Sequence, residues 1–217
     1  MKGTLIVLGI TALAFGGAAT LGTMAHVRWG ICPAWERGWG GVSGIVASDE
    51  VPGLVGQYLA EYGDPDWVVG EIMEFSNHFY VEVREKSTGR GAVELLVLRD
   101  GSVRPEPGPN MMWNAKYGHR GMMGFRRDDS GVMDLPPAAA LATAQAYLDR
   151  SSPGLAVGDE AEAFYGYYTI HTLRNGKIVG MLSVHGSTGE VWVHTWHNAF
   201  VGLVPVVEGD PRHDVAG

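Results

Sequence analysis

The stretch Phe164–His197, FYGYYTIHTLRNGKIVGMLSVHGSTGEVWVHTWH, leaves its backbone few choices. It holds three β-branched, aromatic and apolar runs, separated by Asn175-Gly176 and by Ser187-Thr188-Gly189. Asn-Gly between alternating runs marks a two-residue hairpin, because both central positions of a type I′ turn need positive φ. The second turn again ends on a glycine, which enters the left-handed region without a Cβ clash. The chain therefore folds back twice, and the stretch predicts a three-stranded antiparallel meander.

The same order of signals occurs earlier in the chain. Asp49–Tyr62 predicts a short helix: Asp49 as cap, Pro52 in the first turn, and Leu54, Val55, Tyr58, Leu59 and Tyr62 along one face. Gly63 and Pro65 stop it, and strands are expected at Trp67–Phe75, Phe79–Glu85 and Ala92–Arg99. Alternation places Tyr80, Glu82 and Arg84 on one face of the middle strand and Val81 and Val83 on the other. Glu82, Glu85 and Glu94 read as solvated strand positions. Asp134–Leu148 repeats the helix signal, with Asp134 as cap, Pro136 and Pro137 in the first turn, and Leu141, Ala144 and Leu148 on one face. Phe75–Val81 aligns with Phe164–Ile170, Gly91–Leu95 with Gly180–Val184, and Asp100-Gly101 with Thr188-Gly189. A fixed internal period of this kind predicts a tandem duplication of one α+β unit of roughly 70 to 80 residues. Each unit would pack its helix on one face of an antiparallel sheet and leave the other face available.

Gly180-Met181-Leu182-Ser183-Val184 followed by Thr188-Gly189-Glu190-Val191 resembles the PepSY domain, where a G-x-hydrophobic-x-V strand leads into a TG-x-V turn and strand. Arg99-Asp100-Gly101-Ser102-Val103 is a weaker match, and the resemblance covers residues 50–105 and 134–197. It implies an α+β fold of two tandem helix-plus-three-strand repeats. It also implies a non-catalytic module that binds or inhibits peptidases, or serves as a subunit of a membrane-associated assembly. The tails GPNMMWN (108–114) and HTWHNAF (194–200) lie outside that general pattern.

Lys2 followed by the apolar run Thr4–Ala25 reads as an export signal, with small residues at Thr23-Met24-Ala25 for a signal peptidase. The run is also long enough to remain as an uncleaved membrane anchor, a span needing about 20 residues. Either route puts the bulk of the chain outside the cytoplasm, on the periplasmic or extracellular side. The resulting division is 1–25 signal or anchor, 26–48 a Gly- and Trp-rich linker, and 49–107 the first repeat. Residues 108–133 form a Met- and Gly-rich connection, 134–200 the second repeat, and 201–217 a C-terminal tail. A net charge of −8 without a basic run argues against nucleic acid. The single cysteine, Cys32, excludes an intramolecular disulfide and a Cys-rich zinc site.

The expected function is therefore partner binding by an exported protein, with a protein or peptide as partner and no cofactor. The alternative rests on the two tails, which follow the last strand of each repeat. Asn110, Met111, Met112, Trp113 and Asn114 would meet Trp192, His194, Trp196 and His197 at the junction of the repeats. Thioether and imidazole together suit Cu(I), and Met111, Met112, His119, Met122, Met123, His194 and His197 form the candidate copper set. In the competing structural reading, Met and Trp fill irregular gaps while Asn110 and Asn114 satisfy loop backbone. No Gly-x-Ser-x-Gly elbow, P-loop or His-Glu-x-x-His motif is present, so an enzyme is not expected.

Overall fold

The computed structural model describes residues 45–119 and 132–206, all within the compact unit Ile31–Gly217. The fold is α+β, with two antiparallel sheets of five strands each. A 3₁₀ turn at Ser48–Glu50 leads into α1 (Val51–Tyr62). The first sheet contains β1 (Trp67–Phe75), β2 (His78–Glu85), β3 (Gly91–Leu98) and β4 (Val103–Pro105). A one-turn helix, α2 (Pro109–Met112), follows, and later α3 (Pro137–Ser151). The second sheet contains β5 (Ala156–Val157), β6 (Glu162–Ala163), β7 (Tyr167–Arg174), β8 (Lys177–His185) and β9 (Val191–Val193). The last strand, β10 (Phe200–Val204), crosses back and pairs with β1, so the first sheet runs β10-β1-β2-β3-β4.

The expected meander is present as β7-β8-β9, and its first turn has Asn175 at φ 51° and Gly176 at φ 73°. Each sheet is nonetheless wider than three strands. The short strands β4, β5 and β6 are too brief to show a period of their own. The strand β10 straddles the boundary drawn at residue 200 between second repeat and tail, and it belongs to the first sheet. The helix starts also move. Glu50, not Asp49, occupies the capping position of α1, and its carboxylate reaches back to the Ala47 N–H at 2.8 Å. Helix α3 begins at Pro137 rather than near Asp134, because a residue before proline is held out of the helical region and Pro136 is extended there. The segment read as linker ends in the core, where Val46 is buried and donates its N–H to the Arg99 carbonyl at 2.9 Å.

Helix α1 packs Val51 and Val55 on Ile72, Val81, Val83, Val93 and Leu95, forming the core of the first sheet. Helix α3 packs Ala140, Ala144 and Leu148 on Tyr168, Ile170, Leu182 and Val184 of the second. The remaining faces, expected to stay available in each unit, are instead turned towards one another. Met73, Phe75 and Tyr80 of the first sheet form a third cluster with Met181 of the second. The two sheets cover one another, with the helices outside. Glu82, Glu85 and Glu94, expected to be solvated, are therefore 2%, 2% and 0% exposed.

Among the described residues no helix is long and apolar enough to cross a membrane. The export or anchor segment 1–25, Cys32 and most of the linker lie outside the described residues, as do 120–131 and 207–217.

One close approach tests this packing. An added Cβ at Gly91 would lie 2.5 Å from the ring of Phe164, which stacks on Tyr167 at 4.8 Å. Gly91→Ala should cost about 1–3 kcal/mol through overpacking, read as a lower urea midpoint with an unchanged slope.

Candidate functional site

Between the sheets lies a layer of buried polar side chains. Glu94 on β3 accepts from Tyr80 OH at 2.9 Å and Thr169 Oγ1 at 2.8 Å on one oxygen, and from Tyr167 OH at 2.7 Å on the other. Three hydroxyls, one from β2 of the first sheet and two from β7 of the second, thus surround one carboxylate. Burial, reinforced by the charge of Glu106, pushes the Glu94 carboxyl up to about 7.

Glu106 follows β4 and is fully buried. Its position is set by Asn110, whose amide bonds the Glu94 N–H and carbonyl at 3.0 Å each and the Glu106 carbonyl at 3.1 Å. Asn114 continues along the same edge, donating to the Ala92 carbonyl at 2.7 Å. The two asparagines thus satisfy backbone groups of β3 beyond the reach of β4.

The crossover from β9 to β10 brings in two imidazoles. Asn77 pins it to the β1–β2 turn, donating to the Trp196 carbonyl at 3.0 Å and accepting from the Asn198 N–H at 3.2 Å. His194 Nδ1 lies 3.6 Å and His197 Nε2 3.0 Å from Glu106 Oε1, with all three side chains at most 1% exposed. Trp196 Nε1 donates to the same Glu106 oxygen at 2.9 Å, and its ring stacks on His194 at 4.7 Å. His197 stacks on Phe75 at 4.2 Å and shares a 2.7 Å hydrogen bond with His78. Burial raises the Glu106 carboxyl, but the His194 and His197 rings outweigh it and hold the group at about 2. Burial lowers His194, but Glu106 reverses the shift and holds it raised. Burial also lowers His197, and here it prevails over the opposing Glu106 charge.

Ser183 Oγ, His194 Nε2 and His194 Nδ1–Glu106 stand in the order of a nucleophile relay, with contacts of 2.9 and 3.6 Å. Ser183 is 0% exposed in the middle of β8 and also bonds Thr169 Oγ1 at 3.1 Å. Its hydroxyl is thus enclosed between the sheets, with Thr169 and His194 as its partners.

The two tails pack together. Trp113 meets Trp192 edge to face at 5.5 Å, and a Cβ added at Gly108 would lie 2.8 Å from the Trp196 ring. Of the candidate copper set, the structure brings together His194 and His197. Met112 is 57% exposed, Met111 is half-buried on α2, and His119 is exposed. Met122 and Met123 lie outside the described residues. The third member of the buried group is Glu106, which the sequence reading passed over although it opens the first tail. For Glu94, a lone glutamate inside the apolar run of β3 is the sequence signal that marks a buried carboxylate.

At one end the layer opens into a polar cleft of about 450 Å³. Arg84 spans it from Glu82 at 2.5 Å to Glu162 at 3.0 Å, and Glu71 meets His171 at 3.0 Å.

Compared with protein-family models, curated proteins and solved structures, the chain matches none.

Two outcomes follow from the burial of these groups. Glu94, raised from 4.5 to about 7, contributes stability that is full below pH 4.5 and lost as pH rises through 7. His78, held down from 6.5 to about 4 by burial and by His197, contributes stability that is full above pH 6.5 and lost as pH falls through 4. The slopes oppose each other. Glu94→Gln should expose the histidine slope, gaining on wild type by on the order of 3 kcal/mol between about pH 4 and 7 in urea titrations. Trp196→Phe keeps an aromatic ring, though a smaller one, but removes the donor to buried Glu106, and should cost about 1–3 kcal/mol in the same assay.

Proposed function

We propose that this chain is a non-catalytic, exported binding module that takes an extended, acidic peptide segment of a partner protein as an added strand on β10. The observation that carries the reading is the character of that edge. Among the described residues β10, FVGLV, is the outermost strand of its sheet, and it contains neither charge nor proline. Exposed edges are ordinarily guarded by such residues, since a bare edge recruits foreign strands. Val201 and Leu203 are 59% and 57% exposed, and Val179 on β8 is 40% exposed. Together with Phe200 they line an open groove of about 760 Å³. Arg174 and Lys177 line the same groove at the β7–β8 hairpin, in a chain whose net charge is −8. Strand addition supplies main-chain hydrogen bonds, the groove takes alternate apolar side chains, and the basic pair selects acidic flanks.

The recurrence of helix and meander supports a PepSY-like duplicated scaffold for this module. β7 begins at Tyr167, 89 residues after β2 begins at His78, and α1 and α3 precede their respective meanders. The export reading of residues 1–25 places the module on the outer side of the cytoplasmic membrane, tethered there if the segment is retained.

Panning a random twelve-residue display library against the full chain tests this reading. Enriched peptides should alternate apolar residues with Asp or Glu and should slow amide exchange at residues 200–204. Arg174→Glu with Lys177→Glu should weaken them about tenfold or more. Enrichment without acidic bias, or protection confined to another surface, would overturn it.

A further inference from the structure

Four buried side-chain N or O atoms among the described residues lack a hydrogen-bond partner, and three belong to one cluster: Glu106 Oε2, His194 Nδ1 and His197 Nε2. Native structures leave few such groups, because an unsatisfied buried polar atom costs its full desolvation. Three in one place call for a common partner. Glu106, His194 and His197 each offer a ligand atom, and these atoms lie within 4.8 Å of one another.

The outer atoms of the same three side chains are all engaged. Trp196 Nε1 donates to Glu106 Oε1 at 2.9 Å, and Ser183 Oγ bonds His194 Nε2 at 2.9 Å. His78 Nε2 bonds His197 Nδ1 at 2.7 Å. Each candidate ligand is thus held from behind by one protein group. Such outer hydrogen bonds orient metal ligands and select the tautomer that presents a lone pair to the ion. With the outer nitrogens protonated, His194 Nδ1 and His197 Nε2 are both free to bind.

From this geometry we infer that Glu106, His194 and His197 form a binding site for one divalent transition-metal ion, of the zinc or ferrous class. Two imidazoles and a carboxylate suit these borderline ions, whereas calcium and magnesium take all-oxygen shells and Cu(I) favours thioethers. Ligand atoms about 2.0–2.2 Å from a tetrahedral zinc stand roughly 3.3 Å apart. Measured to Oε1, the other oxygen of the same carboxylate, His197 Nε2 and His194 Nδ1 stand 3.0 and 3.6 Å away, so both imidazoles converge on the Glu106 carboxylate at about that spacing. The ion would join the end of β4 in the first sheet to the crossover leaving β9 in the second. The inference concerns a different part of the molecule from the β10 groove and does not rest on it.

Chelator-treated full chain provides the test, with Zn(II) as ligand and Co(II) as spectroscopic reporter. Expected are one ion per chain, the visible absorption of tetrahedral Co(II), and a melting temperature raised by roughly 5–10 °C at a hundredfold excess of Zn(II) over Kd. His194→Gln and Glu106→Gln should abolish all three. Should those variants fail to fold, Ser183→Ala, which removes only the outer partner of His194, should weaken Zn(II) about 10–100-fold. Wild-type protein that neither shifts with Zn(II) nor colours with Co(II) would overturn the inference. So would a shift that survives His194→Gln, which assigns the ion to surface histidines, or a response to Cu(I) alone.

Discussion

Two carboxylates buried between two sheets set the terms for the middle of this structure. Glu94 and Glu106 are fully buried, and both sit on the first sheet or at its end. A buried charge is tolerated only with partners, or by giving up the charge. The chain uses both means. Glu94 takes three hydroxyls and holds its proton more tightly than an exposed carboxyl. Glu106 stays ionised against two imidazoles and a tryptophan N–H. Apart from Tyr80, the partners come from the second sheet and from the crossover, so pairing these acids also fixes how the sheets face one another.

The outer and inner layers are built on different physics. Each helix covers its sheet with aliphatic side chains, where burial is nondirectional and tolerant of detail. The inner layer is a directional network, worth having only when each member is satisfied. The apolar cluster of Met73, Phe75, Tyr80 and Met181 adjoins it and keeps part of the interface dry. The crossover that delivers His194 and His197 then continues into β10, so placing the histidines and completing the first sheet are one event. Arg84–Glu162 and Glu71–His171 add charged links where the layer opens to solvent.

Much of the candidate site was visible as residue types and invisible as an assembly. Asn110, Asn114, Trp113, Trp192, His194, Trp196 and His197 were legible because two chemically rich tails follow the ends of two similar strand sets. The asparagines do satisfy backbone, and the tails do meet. Of the thioethers, Met112 faces solvent and Met111 is half-buried, while Glu106 turns inward. Glu82 and Glu94 alternate correctly with Val81, Val83, Val93 and Leu95, yet their face was assigned to water. Period-2 alternation shows which residues share a face and carries no information about what lies against it.

Local sequence determined the elements governed by nearby covalent geometry: the Asn175-Gly176 hairpin, the long strands β1, β2, β3, β7 and β8, and the two proline-opened helices. Their causes, φ preference, alternation and helix-start chemistry, act over a few residues. Tertiary structure alone decided that the two sheets bury each other's polar faces and that β10 returns to β1 across 125 positions from Phe75 to Phe200. It also decided that Glu106 meets His194 and His197. Those outcomes depend on which surfaces find complementary partners at long range, and a glutamate in a strand has the same local pattern whether water or a second sheet lies above it.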